Sequence, residues 1–571
     1  AIDAADGAIA LDEQRIDAWI VEVDAAVRVR PSDVDRTLDR FAEIFAHDPA
    51  RVVGMAERIA GLARSDNDPL VVRATRWLDG LPEPERRSEL AMLARARVLA
   101  ASETWSEALA AAQAAIEAFP ASLAARRLRA DLLAFSGRYD EAIAAYDAYL
   151  QEAPLDLEAA RLSARVAGWA GDADEARERY EALVVAHPEA TVIAAEATAK
   201  DAFYQARWRE AVPAYEQWLA LEPGSREAAF ELAQSQAALG DLEAAGRRLH
   251  QLDTVVPVHR LARAASDRLE RARRPSGDIY VSRRTSDGYD GLRLLDVAEQ
   301  GGTFSMRLGA SLPAEFGVVA GAISAGASGV ERNGYRASAF GSYRFSPSWQ
   351  VEGRGGVLEF DGNEGPSVEG RALVSWSPAD HWRLFGGGER VAVLENMTTV
   401  DARLQATGGV AGLAFEGVTT AVQVAGARQS LSDGNGVASA TVTASHALTR
   451  GTHELRLVGW GWYVGYDEPR ADYFSPASFV RADIGFEWSW WLDRPRFRAD
   501  RERRLAIGYL IGTDSDAVIY HHPSARLLFE LPAGMAFEAG VSWIRSEVYQ
   551  ETNAHVGVRV GAPTRTTRTR D

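Results

Sequence analysis

Charged and large apolar residues alternate strictly along the stretch FVRADIGFEWSWWL, residues 479–492. Arg481 and Asp483 occupy one set of alternate positions, and Ile484 and Phe486 occupy the other. Successive side chains of a β-strand point to opposite faces, whereas a helix repeats every 3.6 residues. The period of two therefore predicts a strand with one polar and one apolar face.

The same alternation recurs through the second half of the chain, in TFSMRLGASLP, YRASAFGSYRF and VEGRALVSW. Such strands suit either a soluble sandwich, with its apolar face packed inward, or a membrane barrel, with its apolar face in lipid. Short connections (PAE, SPS, SPAD, TRGT, LPAG) alternate with longer polar ones (GASGVERNG, DGNEGP, ENMTTVD, LSDGNG, YDEPRADYFSP). Bacterial outer-membrane barrels alternate short periplasmic turns with longer outer loops, so the pattern favours the barrel.

The strands number about sixteen, counted back from a last strand near residues 552–560 to a first near 290–299. The stretch DIYVSRRTSDG just before them is either another strand or a lead-in. An even number puts both ends of the barrel on the periplasmic side. We therefore predict an antiparallel transmembrane β-barrel over residues 275–571, with no outer loop long enough to form a large plug.

The first half of the chain carries an internal repeat, because prolines recur every 34 or 35 residues. A fixed period in this range is typical of stacked helical repeats. The recurring prolines are Pro120, Pro154, Pro188, Pro223 and Pro257. Segments such as GRYDEAIAAYDAYLQEAP and ARWREAVPAYEQWLALEP resemble the tetratricopeptide repeat. We predict a tetratricopeptide-repeat solenoid over residues 100–274 and helices with degenerate repeats over residues 1–99.

The repeat positions also suggest how the helices pack. A small residue such as Ala142 lets two antiparallel helices approach closely. The larger Tyr146, Tyr180 and Tyr215 would fill the space between the helices. Glycines such as Gly171 would form the turns that connect them. We assign the aromatic residues of the repeats to packing between helices. The solenoid would then present a concave surface to a protein partner, whose binding residues are unknown.

Composition excludes several classes of protein. The net charge of -18 argues against a nucleic-acid partner, because phosphate binding depends on basic patches. The chain has no cysteine, which excludes disulfides and thiolate metal sites, and Lys200 is its only lysine. The sequence contains no apolar run of about 18 residues, so it predicts no membrane-spanning helix. A membrane-spanning β-barrel is still compatible with the sequence. We expect no cofactor.

A periplasmic solenoid followed by a barrel of about sixteen strands resembles the outer-membrane exporters of bacterial exopolysaccharides. These exporters include the poly-N-acetylglucosamine export porin and the outer-membrane protein of the cellulose synthase operon. The stretch YFSPASF at residues 473–479 is similar to a short motif of the cellulose-type barrels. The resemblance implies a monomeric barrel in the outer membrane that conducts a polysaccharide, as in biofilm export. It also implies a periplasmic repeat domain that recruits protein partners.

Alternation identifies candidate pore-lining residues of both charge signs. They are Arg307, Arg336, Arg344, Glu352, Arg354, Glu369, Arg371, Arg383, Glu389, Glu454, Arg456, Arg481, Asp483 and Glu487. These side chains form either a generic hydrated wall or a track for the polymer.

Two tryptophans are candidates for stacking on sugar rings. Trp460 and Trp462 share the parity of Glu454 and Arg456, which would direct them into the lumen. A bulge at a neighbouring glycine would instead turn them toward lipid, and the pattern favours that arrangement.

Two other functions fit the sequence less well. A surface receptor would bind a ligand or phage with its outer loops, while its pore would be incidental. An enzyme is not expected, because the sequence contains no HExxH, phosphate-binding glycine loop or serine-nucleophile elbow. His521 and His522 are adjacent and would point to opposite faces of a strand. Asp483 and Glu487 could serve as acid and base on a glycoside, but with Arg481 on the same face they fit an ion-pair ladder better.

Overall fold

Helices occupy the first half of the chain and strands the second, with the change between Arg273 and Ser276. A computed structural model describes residues 2–63, 68–254, 260–288, 295–309, 314–363, 365–492, 502–531 and 534–561. The chain divides into two compact units. The first comprises residues 1–204, 213–231 and 247–263, and the second comprises residues 205–212, 232–246 and 264–571.

The helical half contains helices α1 to α17 in the described residues. Helices α1 to α7 are Ile2–Leu11, Ile16–Val29, Val34–Ile44, Pro49–Gly61, Pro69–Asp79, Glu83–Arg86 and Glu89–Ala101. Helices α8 to α17 are Trp105–Ala118, Leu123–Phe135, Tyr139–Glu152, Leu157–Ala170, Ala173–Ala186, Thr191–Tyr204, Trp208–Leu221, Arg226–Ala238, Leu242–Thr254 and Arg260–Arg273. None of the described helices is both long enough and apolar enough to cross a membrane.

The ends of the repeat helices follow from local sequence. At the start of α11, the Asp156 carboxylate accepts a hydrogen bond from the backbone N–H of Ala159 at 3.0 Å. At its end, Gly171 adopts φ +93°, a left-handed conformation that glycine takes without strain. Pro154 follows the end of α10, because proline cannot continue a helix. The repeat proline Pro257 lies outside the described residues.

Small and aromatic residues of the repeats pack between the helices as predicted. Ala142, Tyr146, Tyr180 and Tyr215 are all buried. Each of these tyrosines also donates its hydroxyl hydrogen to a carboxylate; for example, Tyr215 donates to Glu231 at 2.6 Å. Buried tyrosines therefore require an acidic partner in the next or preceding helix, a pairing that the repeat pattern alone does not reveal.

A buried charge cluster lies within the first unit, around the only lysine of the chain. The Lys200 ammonium contacts the carboxylates of Glu227 at 2.5 Å and Glu231 at 2.8 Å, and Lys200 is fully buried. Burial raises the pKa of Glu231 to about 7, because desolvation outweighs the attraction of Lys200. The cluster therefore holds two carboxylates around one cation, and Glu231 gives up its proton at a higher pH than an ordinary glutamate.

The second half of the chain contains sixteen strands in the described residues. Strands β1 to β8 are Ser276–Asp287, Asp296–Leu308, Ala314–Ala327, Val330–Ser346, Trp349–Phe360, Ser367–Ala379, Trp382–Ala392 and Gln405–Glu416. Strands β9 to β16 are Thr420–Leu431, Gly436–Ala447, His453–Tyr466, Phe479–Trp491, Arg503–Asp514, Ile519–Glu530, Met535–Arg545 and Gln550–Val560. A short helix, α18 (Met397–Asp401), lies between β7 and β8.

The strands form a closed antiparallel barrel in which each strand pairs with its neighbours in the sequence. Closure comes from β1 and β16, which pair from Gly277 opposite Val560 to Asp287 opposite Gln550. Each of the sixteen described strands therefore has a partner along both of its edges, as the interior of a membrane requires of a sheet. We call the end where β1 begins and β16 ends the entry end, and the opposite end the far end.

The structure corrects two details of the predicted strand pattern. The first strand begins at Ser276 rather than near residue 290, so DIYVSRRTSDG, which the sequence left open as a strand or a lead-in, belongs to strand β1. The predicted long connection GASGVERNG is a two-residue turn, because Ser328 and Gly329 both adopt positive φ and strands β3 and β4 continue through the rest. The predicted connections at residues 313–315 and 531–534 fall partly outside the described residues.

Candidate functional site

The two faces of the barrel strands differ sharply in exposure. On β12, Ile484 is 57% exposed and Phe486 is 51% exposed, whereas Asp483 is 4% exposed and Arg481 is 6% exposed. Similar rows of exposed apolar side chains occur on most other strands. The apolar rows thus form the outer surface of the barrel, and the polar rows face its interior.

All fourteen residues selected by alternation lie on strand positions that alternate with these exposed apolar rows. Arg307, for example, lies between the exposed Met306 and Leu308. The predicted set comprises eight arginines and six carboxylates. Their interior position follows from strand parity, whereas their contacts depend on the register between strands.

The interior charges on β2 to β4 and β6 pair across strands. The Arg336 guanidinium lies 3.2 Å from Glu299 on one side and 3.2 Å from Glu369 on the other. Arg307 lies 3.5 Å from Glu315. Glu299 and Glu315 were not among the predicted residues, because Glu299 lay at the end of the first predicted strand and Glu315 was assigned to the connection PAE.

Further charges of the predicted set are also paired. Arg371 on β6 lies 3.7 Å from Glu389 on β7. Arg456 on β11 pairs with Glu454 two positions earlier on the same strand. A fifth predicted arginine, Arg354, donates to the hydroxyl of Ser338 at 2.9 Å. The interior wall thus carries closely spaced charges of opposite sign.

Arg481 lies in an aromatic and acidic setting on the interior wall. Its guanidinium makes two hydrogen bonds to Asp483, at 2.7 and 3.0 Å. The same guanidinium lies 4.0 Å from the ring centroid of Tyr520 and 5.3 Å from that of Trp460. A cation over an aromatic face is attracted to the ring, so both contacts stabilise this arrangement. The sequence did not predict the contact of Tyr520 with Arg481, because Tyr520 lies on β14 and β13 separates that strand from β12.

Trp460 and Trp462 face the interior, together with the charged row of β12. Trp460 pairs with Asp483 and Trp462 with Arg481, and side chains of directly paired residues share a face. The register on both sides of β11 runs without a shift, so the glycine bulge that would have turned the tryptophans toward lipid is absent from these pairings. Trp462 packs edge-on against Phe479, with ring centroids 5.6 Å apart.

The connection between β7 and β8, residues 393–404, folds inward at the far end, and we call it the mouth segment. Helix α18 begins with a capping box, in which Asn396 and Thr399 bond each other's backbone N–H groups. Val400 is 2% exposed and packs against Ile323 of β3 and Phe360 of β5. The sequence predicted no outer loop long enough to form a large plug, and this connection, although short, packs against the interior wall of the barrel.

Polar contacts attach the mouth segment to separate parts of the barrel. Arg284 of β1 donates to the carbonyl of Leu394 at 2.7 Å, and Arg332 of β4 pairs with Asp401 at 3.0 Å. Toward β12, the Asn396 side chain donates to the carbonyl of Asp472 at 2.6 Å. The segment consequently bridges the interior between strands that are far apart in the ring.

A second buried cluster supports the far end near the mouth segment. Tyr473 is buried, donates its hydroxyl hydrogen to Asp433 at 2.9 Å and accepts one from Asn435 at 2.9 Å. Burial raises the pKa of Tyr473, and it also raises the pKa of Glu395, whose carboxylate accepts a hydrogen bond from the backbone N–H of Phe474. The YFSPASF stretch thus anchors the connection between β11 and β12 to the barrel.

Histidine and acidic side chains do not gather into a metal-binding group of three or more anywhere in the described part of the chain. His521 and His522 point to opposite faces of β14, as predicted. His521 contacts the hydroxyl of Tyr509 on the outer face, and His522 lies 3.9 Å from Asp483 in the interior.

Comparison with protein families supports the helical half directly. A tetratricopeptide-repeat family model matches residues 93–156 and 196–249. A search of curated proteins gives no significant match to the chain.

Solved structures resemble the two halves separately. A structure described as a bacterial polysaccharide outer membrane secretin is 12% identical, with a TM-score of 0.42, and the match covers 51% of this chain and 99% of that one. Pseudomonas aeruginosa OpdO is 10% identical, with a TM-score of 0.30, covering 50% of this chain and 96% of that one. A tetratricopeptide repeat protein from Parabacteroides merdae is 15% identical, with a TM-score of 0.26, covering 37% of this chain and 76% of that one.

At these identities and TM-scores none of the three structures assigns a function to this chain. The repeat match and the strand pairing nevertheless confirm the two-part architecture. The protein combines an N-terminal helical region of tetratricopeptide repeats with a closed, sixteen-stranded antiparallel β-barrel.

Proposed function

We propose that the protein is an outer-membrane channel through which a polysaccharide leaves a bacterial cell. The barrel would span the membrane with its far end outward, and the tetratricopeptide repeats would lie in the periplasm. A barrel of sixteen strands is wide enough to enclose an aqueous path. The polymer would pass along the interior wall between the two ends.

The outer surface supports a position in lipid. Exposed apolar residues surround the barrel, an arrangement that water would disfavour and hydrocarbon would accept. Aromatic side chains gather near the entry end, where Trp349 and Trp376 stack with ring centroids 6.0 Å apart beside Phe345. Such belts mark the membrane–water interface in transmembrane barrels.

The interior position of Trp460 and Trp462 carries the proposal for a sugar polymer. An indole face packs well against the C–H face of a sugar ring, and a lipid-facing tryptophan would have no such use. Trp460 is half-buried and stands beside the fixed Arg481–Asp483 pair. A polymer in the lumen would therefore meet a flat apolar surface next to hydrogen-bonding groups.

The repeats support recruitment of a protein partner. Stacked tetratricopeptide repeats present extended surfaces that bind other chains. We propose that a periplasmic protein docks there and delivers or modifies the polymer before it enters the barrel. No turnover by the chain itself is expected.

Single-channel conductance of the purified full-length chain in a planar bilayer tests the channel. We expect open steps that a mixture of neutral, cationic and anionic oligosaccharides interrupts. Trp460→Ala should shorten the interruptions, whereas Trp543→Ala, which alters a tryptophan of the outer surface, should leave them unchanged. An open channel that no oligosaccharide interrupts would contradict polysaccharide export.

A surface receptor is the second candidate, and the connection between β11 and β12 favours it. Residues 467–472 are exposed at the far end, while Tyr473 and Ser475 beside them are buried and hold the connection in place. A rigid exposed loop is a good binding surface. Replacing residues 467–471 by a glycine-serine linker should then abolish adsorption of a ligand or phage while conductance and sugar block persist.

A further inference from the structure

Two features of the interior wall bear on which polysaccharide would use the channel. The first is how its charges are arranged, and the second is where charges are missing. Both deepen the proposed function and rest on it.

The interior charges are numerically balanced. Strand parity, applied to all sixteen strands, adds five arginines and eight carboxylates to the predicted set, so that thirteen guanidinium groups share the wall with fourteen carboxylates. The added residues are Arg284, Arg332, Arg504, Arg526, Arg559, Asp278, Glu299, Glu315, Glu416, Asp514, Glu530, Glu538 and Glu551. A channel built to attract a polyanion or a polycation would carry an excess of the opposite sign, because field strength follows net charge.

The balance is local as well as numerical. Arg336 lies between two carboxylates, and Arg481 makes two hydrogen bonds to the buried Asp483. Paired charges at these distances cancel each other's field within a few ångströms. A charged repeat unit moving along the wall would meet attraction and repulsion in turn, with no net gain from its charge.

One sector of the wall has almost no charge. On the fully described strands β8, β9 and β10, the interior positions carry mostly small, amide or hydroxyl side chains, and Glu416, the last residue of β8 at the entry end, is their only charged residue. The polar members are Gln423, Gln429, Ser439, Thr441, Thr443 and Ser445. Amides and hydroxyls both donate and accept hydrogen bonds, as sugar hydroxyls do.

The tryptophans border this sector directly. Thr443 pairs with Gln423 on one side and with Trp460 on the other, and Thr441 pairs with Trp462. An amide, a hydroxyl and an indole therefore stand side by side in one cross-strand row on the interior face. Such a row offers stacking and neutral hydrogen bonds to the same sugar residue.

From these observations we infer that the channel carries an uncharged polysaccharide, which travels along the sector formed by β8, β9, β10 and Trp460. The balanced wall gives ionised sugars no advantage, whereas the sector supplies contacts that a neutral sugar can use. The row of Gln423, Thr443 and Trp460 is the expected recognition site.

Block of single-channel conductance by three oligosaccharides of equal length tests the inference. Neutral cello-oligosaccharides, cationic deacetylated chito-oligosaccharides and anionic oligogalacturonates are added separately to the full-length chain. We expect the neutral series to block at the lowest concentration. If either charged series blocks at the same or a lower concentration, the inference is wrong although export of a polysaccharide stands. If none blocks an open channel, the proposed function itself fails.

Two substitutions locate the site. Thr443→Val removes one hydroxyl with little change in shape, and we expect a roughly 3- to 10-fold rise in the neutral sugar concentration needed for half block. Ser542→Ala removes a half-buried interior hydroxyl on β15, outside the sector, and as the control it should change nothing. Equal effects of the two substitutions would contradict recognition by the sector.

Discussion

Lys200 shows how a single buried residue can organise a helical repeat. Its ammonium lies between two carboxylates, and the hydroxyl of Tyr215 donates to one of them. Removing one member of a buried ion pair usually costs about 3–5 kcal/mol, because the remaining charge loses its partner. The cluster therefore makes this part of the solenoid depend on ionisation as well as on packing.

The raised pKa of Glu231 predicts a specific pH dependence of stability. Its pKa is about 7 in the folded protein against an ordinary value of 4.5, so folding takes up a proton between these values. The resulting stabilisation is fully present below about pH 4.5 and is lost as the pH rises through about 7. We expect Glu231→Gln, which imitates the protonated form, to remove on the order of 2 kcal/mol of this pH dependence.

Thermal unfolding of the full chain in detergent, followed by helix circular dichroism at pH 5 and pH 8, measures this effect. The exposed Glu178→Gln is the matched control and should keep the pH dependence of the unaltered chain. An unchanged dependence in Glu231→Gln would show that another group titrates.

Arg336 gives a second prediction at the scale of one residue. Arg336→Gln keeps a hydrogen-bond donor but leaves Glu299 and Glu369 without their shared cation, so we expect the channel to become cation-selective. The zero-current potential across a salt gradient measures the shift. Arg428→Gln, in an exposed pair with Asp467 outside the interior row, should leave the potential unchanged.

Parity was enough to predict which charged residues share the interior face, because a strand alternates regardless of its neighbours. It was not enough to predict partners. Glu299 meets Arg336 from two strands away, and Tyr520 meets Arg481 in the same manner, so both contacts depend on the register of the intervening strand. The orientation of Trp462 also required the register, since a local bulge would have reversed it.

The mouth segment is the element that sequence reasoning did not anticipate. Residues 393–404 read as an ordinary polar connection, and their inward fold depends on apolar contacts of Val400 with strands β3 and β5. Such contacts join positions about 40 to 80 residues apart, and no local pattern encodes them. By contrast, the repeat helices were predictable because their turns and packing residues, and the side-chain caps of α9, α11 and α12, lie within each helix or directly beside it.

We expect the mouth segment to restrict conduction, and Val400→Asp to relieve the restriction. Burying a carboxylate at this apolar position is unfavourable, so the segment should leave the interior and single-channel conductance should rise. Thr398→Asp, at an exposed position of the same short helix, is the matched control and should conduct like the unaltered chain. A conductance unchanged by Val400→Asp would mean that the segment does not narrow the path.

At the scale of the whole molecule, the proposed orientation can be tested by labelling. The chain has no cysteine, so a single introduced cysteine is the only reactive thiol. We expect a membrane-impermeant maleimide to label Asp516→Cys, at an exposed position of the far-end turn between β13 and β14, on intact Gram-negative cells. Arg450→Cys, at an exposed position of the entry-end turn between β10 and β11, should react only after the outer membrane is permeabilised. The reverse labelling pattern would show that the barrel has the opposite orientation in the membrane.

The pairing of β1 with β16 has a consequence for how cargo moves. A wall hydrogen-bonded along eleven successive residue pairs has no seam through which a long molecule could slip sideways. In the proposed export, a polymer longer than the barrel must therefore be threaded one end first, and its trailing part would stay inside the cell until the leading part has emerged. Bulky side branches on the polymer would stop this passage. The closed wall therefore favours an unbranched polysaccharide that enters the barrel at the rate at which it is synthesised.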